Sequence, residues 1–317
     1  MHRGLCSLAS FLVVGGCSGG KEEGALKTAE LVEIYGENEL FLVNSRLLKG
    51  GLSEGRRSPA AIRLNDGKYA VVGGCSGPGS HLNTVEVWQG ESFSSVAGLT
   101  VGEERSCAAF CTTQNGKSLI LGGYNGLECL RSGVIVNGGL KSIVHIPAFI
   151  SRLKNATACE LNGNEDDIIV IGGWDEHRTL TTVFRLSLTD CSSTMIGLLP
   201  RPLEGHASIP VDDVIFVFGG YDGVTVVKEI CMVSSTGECQ VVEGCQLDIG
   251  RENHVALRVL PDVLVIAGGW DGRNALSSLE IFIVERDENG RPKGLIKRTN
   301  VEGGLQESRI RPVAFNL

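Results

Sequence analysis

Six times along 317 residues a short apolar run closes on a pair of glycines: FLVVGG (Gly15, Gly16), YAVVGG (Gly73, Gly74), LILGG (Gly122, Gly123), IVIGG (Gly172, Gly173), FVFGG (Gly219, Gly220) and VIAGG (Gly268, Gly269). Successive pairs lie 58, 49, 50, 47 and 49 positions apart, and an alanine column (Ala61, Ala109, Ala158, Ala207, Ala256) precedes the pairs by 12 to 14 residues. Two columns in one register define a repeat of about 50 residues, the signature of a solenoid, a propeller or an array. The repeat also accounts for part of the glycine excess, 43 residues where about 7% of a chain is usual.

Each unit reads as four short strands. The alanine lies in a first strand, and a turn signal such as Asn65-Asp66-Gly67 or Asn115-Gly116 leads to the run that ends in Gly-Gly. A third strand is visible as LVEIY (31–35), TVEVW (84–88) and SLEIF (278–282), and a weaker fourth as ESFSSVAGL and CQVVEG. No segment of adequate length has a helical period, so the chain is expected to be all-β. Small antiparallel sheets repeated at this spacing bury their faces by packing around an axis, which predicts a six-bladed β-propeller.

The apolar strand, the glycine pair and the following aromatic-Asp-Gly text resemble the kelch repeat: GGYNG at 122–126, GGWDE at 172–176, GGYDG at 219–223 and GGWDG at 268–272. Leu199-Pro200-Arg201-Pro202 is similar to the segment before a new kelch repeat. The tryptophan usual in the fourth kelch strand is missing, and the third-strand tyrosine persists only as Tyr35, or as Trp88 and Phe282. The expected blades are 308–317 with 8–52, then 53–102, 103–150, 151–200, 201–249 and 250–307, forming one domain. The repeats leave no room for the BTB or F-box segment of kelch proteins that recruit ubiquitin ligases.

The ends predict how the ring closes. Arg311 to Phe315 repeat the first-strand text of Arg105 to Phe110, so Ala314 should complete the blade begun at the N-terminus and remove two sheet edges. Residues 1–8 read as an overhang or a competing first strand, and a hairpin turning at Asn289-Gly290 reads as an insertion before Ala314. MHRGLCSLASFLVVGGC also has the form of a secretory or lipoprotein signal, which would make the protein secreted or lipid-anchored. The repeat text VVGGCSG, present in blades one and two, favours a blade strand instead.

Antiparallel pairing puts the residues after Gly-Gly and those leading into the first strand on one rim. The resemblance to kelch domains implies that this rim receives peptides, acidic ones among them, through arginines and aromatics. The residues expected there are Arg57, Arg105, Arg201, Arg251, Arg311, His206, Tyr124, Trp174, Tyr221 and Trp270, with Cys17, Cys75, Lys154 and His254 beside them. Pairing of each arginine with an aspartate such as Asp222 or Asp271 is the structural alternative.

The formal charge of −8 has the wrong sign for bulk nucleic acid or an anionic membrane. Eleven cysteines, an odd number in a chain long enough for a full core, read as buried apolar residues in a reducing compartment, the cytoplasm. The expected function is therefore a monomeric protein-interaction module without metal or cofactor. The alternative is a propeller enzyme, a sugar epimerase or lyase or a metal-dependent oxidase.

Catalytic signals are weaker. Gly16-Cys17-Ser18-Gly19-Gly20 matches G-x-S-x-G but lacks the helix of a nucleophile elbow. Cys107 with Cys111 and Cys239 with Cys245 lack zinc-site spacing. His177, His206 and His254 fall near the rim of different blades, Glu165-Asp166-Asp167 reads as a solvated turn, and Asn155-Ala156-Thr157 is a formal sequon.

Overall fold

In the computed structural model, which describes residues 6–19, 24–37, 40–137, 140, 142–146, 148–161 and 166–317, both members of every glycine pair have positive φ. Residues 1–5, Gly20 and Glu165 of the sequence reading lie outside these. The first glycine lies between +55° and +68° and the second between +90° and +102°. The amide of the second donates to the carbonyl of a residue leading into the next blade, namely Arg56, Arg105, Leu153, Leu203, Arg251 or Arg309, at 2.7–2.8 Å. A Cβ on the first glycine would sit 2.3–2.8 Å from that same oxygen. Only glycine permits both the dihedral and the approach, so the repeat measured along the sequence is the joint between blades.

Six blades surround the axis. Blades two to six are four-stranded antiparallel sheets with strands in chain order. Their first strands, from the axis outward, are Ala60–Arg63, Ala109–Thr112, Thr157–Glu160, Ala207–Val211 and Val255–Leu260. Blade one is built from both ends of the chain, with Val313–Asn316 on the axial side of Cys6–Val14, followed by Ala29–Glu37 and Leu40–Leu47. Ala314 opposes Val13, which closes the ring with the C-terminal strand.

The core lies between blades. In blade one Phe11 and Val13 pack into the cluster shared with blade six, whereas Leu12 and Val14 enter the cluster shared with blade two. Alternate residues of one strand thus serve opposite neighbours, which explains why second strands are apolar without alternation. Fully burying each such side chain stabilises by roughly 1.5–3 kcal/mol. Phe11 to Val14 are completely buried, so the segment that resembles a signal forms the second strand of a blade. Cys6 pairs with Gly36, making residues 6–8 an extension of this strand rather than a competing first strand.

Two readings of the sequence need correction. The hairpin at Asn289-Gly290 is no insertion, because it joins Leu279–Arg286 to Pro292–Lys297 as the ordinary third and fourth strands of blade six. The additional piece is Val301–Gly303, which pairs in parallel with the outer strand of blade one. The alanine column also slips in two blades. Ala61, Ala158 and Ala256 oppose the residue two before their glycine pair, but in blades three and five that place belongs to Phe110 and Ser208. A slip of one residue exchanges the faces of a strand.

Replacing Gly219, whose Cβ would meet the Arg251 carbonyl at 2.5 Å, with alanine is expected to cost roughly 3 kcal/mol in urea unfolding. Gly67→Ala, at φ +84° with nothing nearby, should cost only about 1 kcal/mol.

Candidate binding face at the propeller mouth

Before each first strand one residue adopts the left-handed conformation: Ser58, Cys107, Asn155, Gly205, Asn253 and Arg311, with φ between +51° and +61°. Five of the six carry side chains, a conformation that costs a side-chain-bearing residue about 1–2 kcal/mol. The reason is a closed cycle of hydrogen bonds. Each amide donates to the carbonyl of the equivalent residue one blade back, and Ser58 completes the circle by donating to Arg311, all at 2.6–3.0 Å. These six residues form the lip of an axial cavity of about 220 Å³.

One position earlier, Arg57, Ser106, Lys154, Glu204, Glu252 and Ile310 form isolated bridges to the residues after the glycine pairs, respectively Cys75, Tyr124, Trp174, Tyr221, Trp270 and Cys17. This juxtaposition was expected, but its charge pattern was not. The mouth is divided, with Arg57, Lys154 and Arg311 cationic and Glu204 and Glu252 anionic in adjacent blades. The Lys154 ammonium lies 4.3 Å from the Trp174 ring centroid and 5.2 Å from that of Tyr124. Arg57 reaches the Cys75 sulfur at 3.6 Å. Among the described residues neither Arg57 nor Arg311 has a carboxylate within salt-bridge distance. Tyr124, Trp174, Tyr221 and Trp270 are all half-buried.

Other expected rim residues lie elsewhere. Arg105 and Arg251 are only 3% and 0% exposed, and their guanidinium groups point into their own blades. Arg251 Nη1 donates to the carbonyls of Gly268 and Ser278, and Nη2 pairs with Glu280 at 2.7 Å. Arg56 and Arg309 repeat this brace with Glu86 and Glu30, and Arg105 repeats it with the Ser132 carbonyl and hydroxyl. Blades four and five place Leu153 and Leu203 at the same position, their carbonyls accepting from the Gly123 and Gly173 amides. The absence of a guanidinium in blade four leaves the buried Thr182 hydroxyl, equivalent to Ser132 and Ser278, without a partner. Arg201 is half-exposed and pairs with Asp222 at 3.5 Å and with Glu229, as in the structural alternative.

His206 and His254 line the cavity below the lip and are buried, correcting their placement on the rim. His206 Nε2 meets the Thr157 hydroxyl at 2.9 Å. In the next interface Ala207 occupies the place of Thr157, so neither ring nitrogen of His254 makes a well-formed hydrogen bond. Burial depresses His206 to about 4. Burial, then the charges of Arg251 and His206, hold His254 well below its ordinary value.

The aromatic-Asp-Gly loops yield, besides His177, residues that the sequence reading passed over. The side-chain oxygen of Asn125, Asp175, Asp222 or Asp271 accepts the amides two and three residues on, at 2.7–3.0 Å. These Asx turns hold the intervening tips, Leu127, His177, Val224 and Arg273, in the open. Leu127 is 91% exposed and Val224 81%. The residue after each Asp-Gly, or its equivalent, was the available signal.

Among the described residues no group of three or more His, Cys, Asp and Glu could hold a metal ion. Among the described residues no disulfide joins the cysteines, and burial pushes the Cys159 thiol up to about 12. Asp166 pairs with Lys117, and the Asn155 amide of the sequon donates to Glu204 at 2.8 Å.

This geometry defines a six-bladed all-β propeller with a rigid, charge-divided mouth. No family model matches the chain. It is similar to the Rho GTPase-activating protein gacHH of Dictyostelium discoideum, 30% identical over 160 aligned positions, which cover 45% of this chain and 10% of that protein. The chain thus matches only about a tenth of the length of this relative.

Two measurements follow from the buried groups. Arg251→Leu should lose roughly 3–5 kcal/mol of unfolding free energy because it strands buried Glu280, whereas Arg251→Leu with Glu280→Phe, imitating Leu153 with Phe184, should recover most of it. The unfolded state protonates His206 near 6.5 but the folded state only near 4, so stability is complete above 6.5 and falls as pH drops. This single group should cost roughly 2 kcal/mol by about pH 5, a loss that His206→Asn removes from urea midpoints.

Proposed function

We propose that this chain is a kelch-type interaction module that takes a protein segment or peptide across the mouth of the propeller. The observation that carries the reading is the pair Arg57 and Arg311, with no carboxylate within salt-bridge distance among the described residues and at the same end of the propeller as four half-buried aromatics. A partner carboxylate offers these guanidinium groups the paired hydrogen bonds that no described residue supplies. Half-buried Tyr and Trp provide contact area with little rotamer entropy to lose, and the fixed tips Leu127 and Val224 extend the surface outward. The cycle at the lip organises this face in advance, which lowers the ordering cost of association.

The match to part of a Rho GTPase-activating protein fits a unit that a larger protein can carry, and activity toward Rho GTPases is not assigned to this chain. The reading is of a binder rather than an enzyme. The imidazoles nearest the axis, His206 and His254, are buried beneath the lip instead of presented to a substrate. A monomer in the reducing cytoplasm, acting without metal or cofactor, is part of the same proposal and accords with cysteines that form no disulfide among the described residues.

The test is quantitative affinity capture on wild type, Arg57→Glu with Arg311→Glu, and Arg63→Glu on the opposite face, each checked for an unchanged melting curve. The double variant should lose its partner at least tenfold while Arg63→Glu retains it. Equal recovery by all three would overturn the reading.

A further inference from the structure

Two pairs of neighbouring blades present the same aromatic frame at the mouth but fill it differently. In blades three and four, Tyr124 and Trp174 flank Lys154, whose ammonium lies 5.2 Å and 4.3 Å from their ring centroids. Lys154 bridges to Trp174 through the backbone, and Glu252 bridges to Trp270 in the same manner. In blades five and six the frame is therefore Tyr221 and Trp270, and the residue in the place of Lys154 is Glu252. Here the protein supplies the rings and a carboxylate and omits the cation.

The surroundings of Glu252 leave capacity for a further positive charge, because Arg311 acts on it only from beyond salt-bridge distance. Among the described residues neither Glu252 nor its neighbour Glu204 has a salt-bridge partner. Their oxygens receive neutral donors only: Asn253 to Glu252 at 3.0 Å, and Asn155 and Thr179 to Glu204 at 2.8 and 3.2 Å. Burial raises the Glu252 carboxyl, Arg311 lowers it and Glu204 raises it again. A third charge between Tyr221 and Trp270 would meet two ring faces and two carboxylates together. Ring quadrupole and carboxylate attract a cation in the same sense.

We infer that the recess formed by Tyr221, Trp270 and Glu252 receives a cationic side chain, a lysine ammonium or an arginine guanidinium, from the bound partner. This rests on the proposed function and deepens it. The partner segment carries a negative group toward Arg57 and Arg311 and a positive one toward Glu252, so the divided mouth fixes the direction in which it lies. Lys154 is the intramolecular version of the same contact.

The experiment records indole N–H signals of the full chain, assigned with single Trp→Phe variants, during titration with tetramethylammonium chloride and with N-acetyl-arginine amide at constant ionic strength. The Trp270 signal should shift and saturate in the millimolar range while Trp174, already covered by Lys154, stays in place. Glu252→Gln should weaken the response at least fivefold, and Glu252→Lys, copying blade four, should abolish it. Lys154→Glu should open a second site reported by Trp174, with Lys154→Gln as the milder variant should the first lose its fold. Absence of a saturable Trp270 shift, or an unchanged response in a folded Glu252→Lys protein, would overturn the inference. If either occurs while the Arg57→Glu, Arg311→Glu variant still loses its captured partner, the cation recess falls and the mouth remains the binding face.

Discussion

The closed cycle of six amide-to-carbonyl bonds at the lip is the constraint to which the rest of the propeller is fitted. It ties each blade to the last through residues that must turn left-handed, and five of them do so without being glycine. A few positions lower, the second glycines donate forward to the next blade, in the opposite rotational sense. These two tiers leave the blades little freedom to tilt independently. The apolar clusters then fill spaces whose width is already set. The cycle also explains the divided mouth, because it holds the preceding residues, from Arg57 to Glu252, at fixed places around one circle.

Positive charge is used in two ways that look alike in sequence. Arg56 and Arg57 are adjacent, yet the first is fully buried against Glu86 while the second faces the mouth. Burial of an ion pair is costly unless the remaining donors are satisfied, and the four braces meet that condition largely through backbone carbonyls of their own blades. The net result is that much of the arginine near the axis works inward. The mouth is left with fewer cations than a count of lead-in arginines suggests.

The architecture was legible because it rests on backbone geometry that only glycine allows, repeated six times. Ala314 was readable as a first-strand residue for the same reason. The rim was legible in outline: Arg57, Arg311 and the four aromatics stand together at one end, as antiparallel pairing requires. Arg105 and Arg251 were misplaced because a lead-in arginine reads the same whether its guanidinium turns outward or inward. For Arg251 the informative signal lay about 30 residues on, where Glu280 stands in the third strand as Glu86 does after Arg56; Arg105 has no such glutamate and gave no signal of this kind. Ala109 and Ala207 misled because turns of unequal length let an alanine next to the register position pass for the column. Glu204 and Glu252 carried no motif at all; their meaning depends on which neighbours the ring brings beside them.

The parallel pairing of Val301–Gly303 with Leu40–Leu47 has a consequence for how this protein is made. Blade one acquires its innermost and outermost strands only after the other five blades have been synthesised. Until then its two remaining hairpin partners, Cys6–Val14 and Leu40–Leu47, present open edges on a growing chain. The first of the six sheets to be synthesised is thus the last to be finished, and a nascent chain stalled before residue 301 carries a half-built blade with both sides available to a chaperone or to another copy.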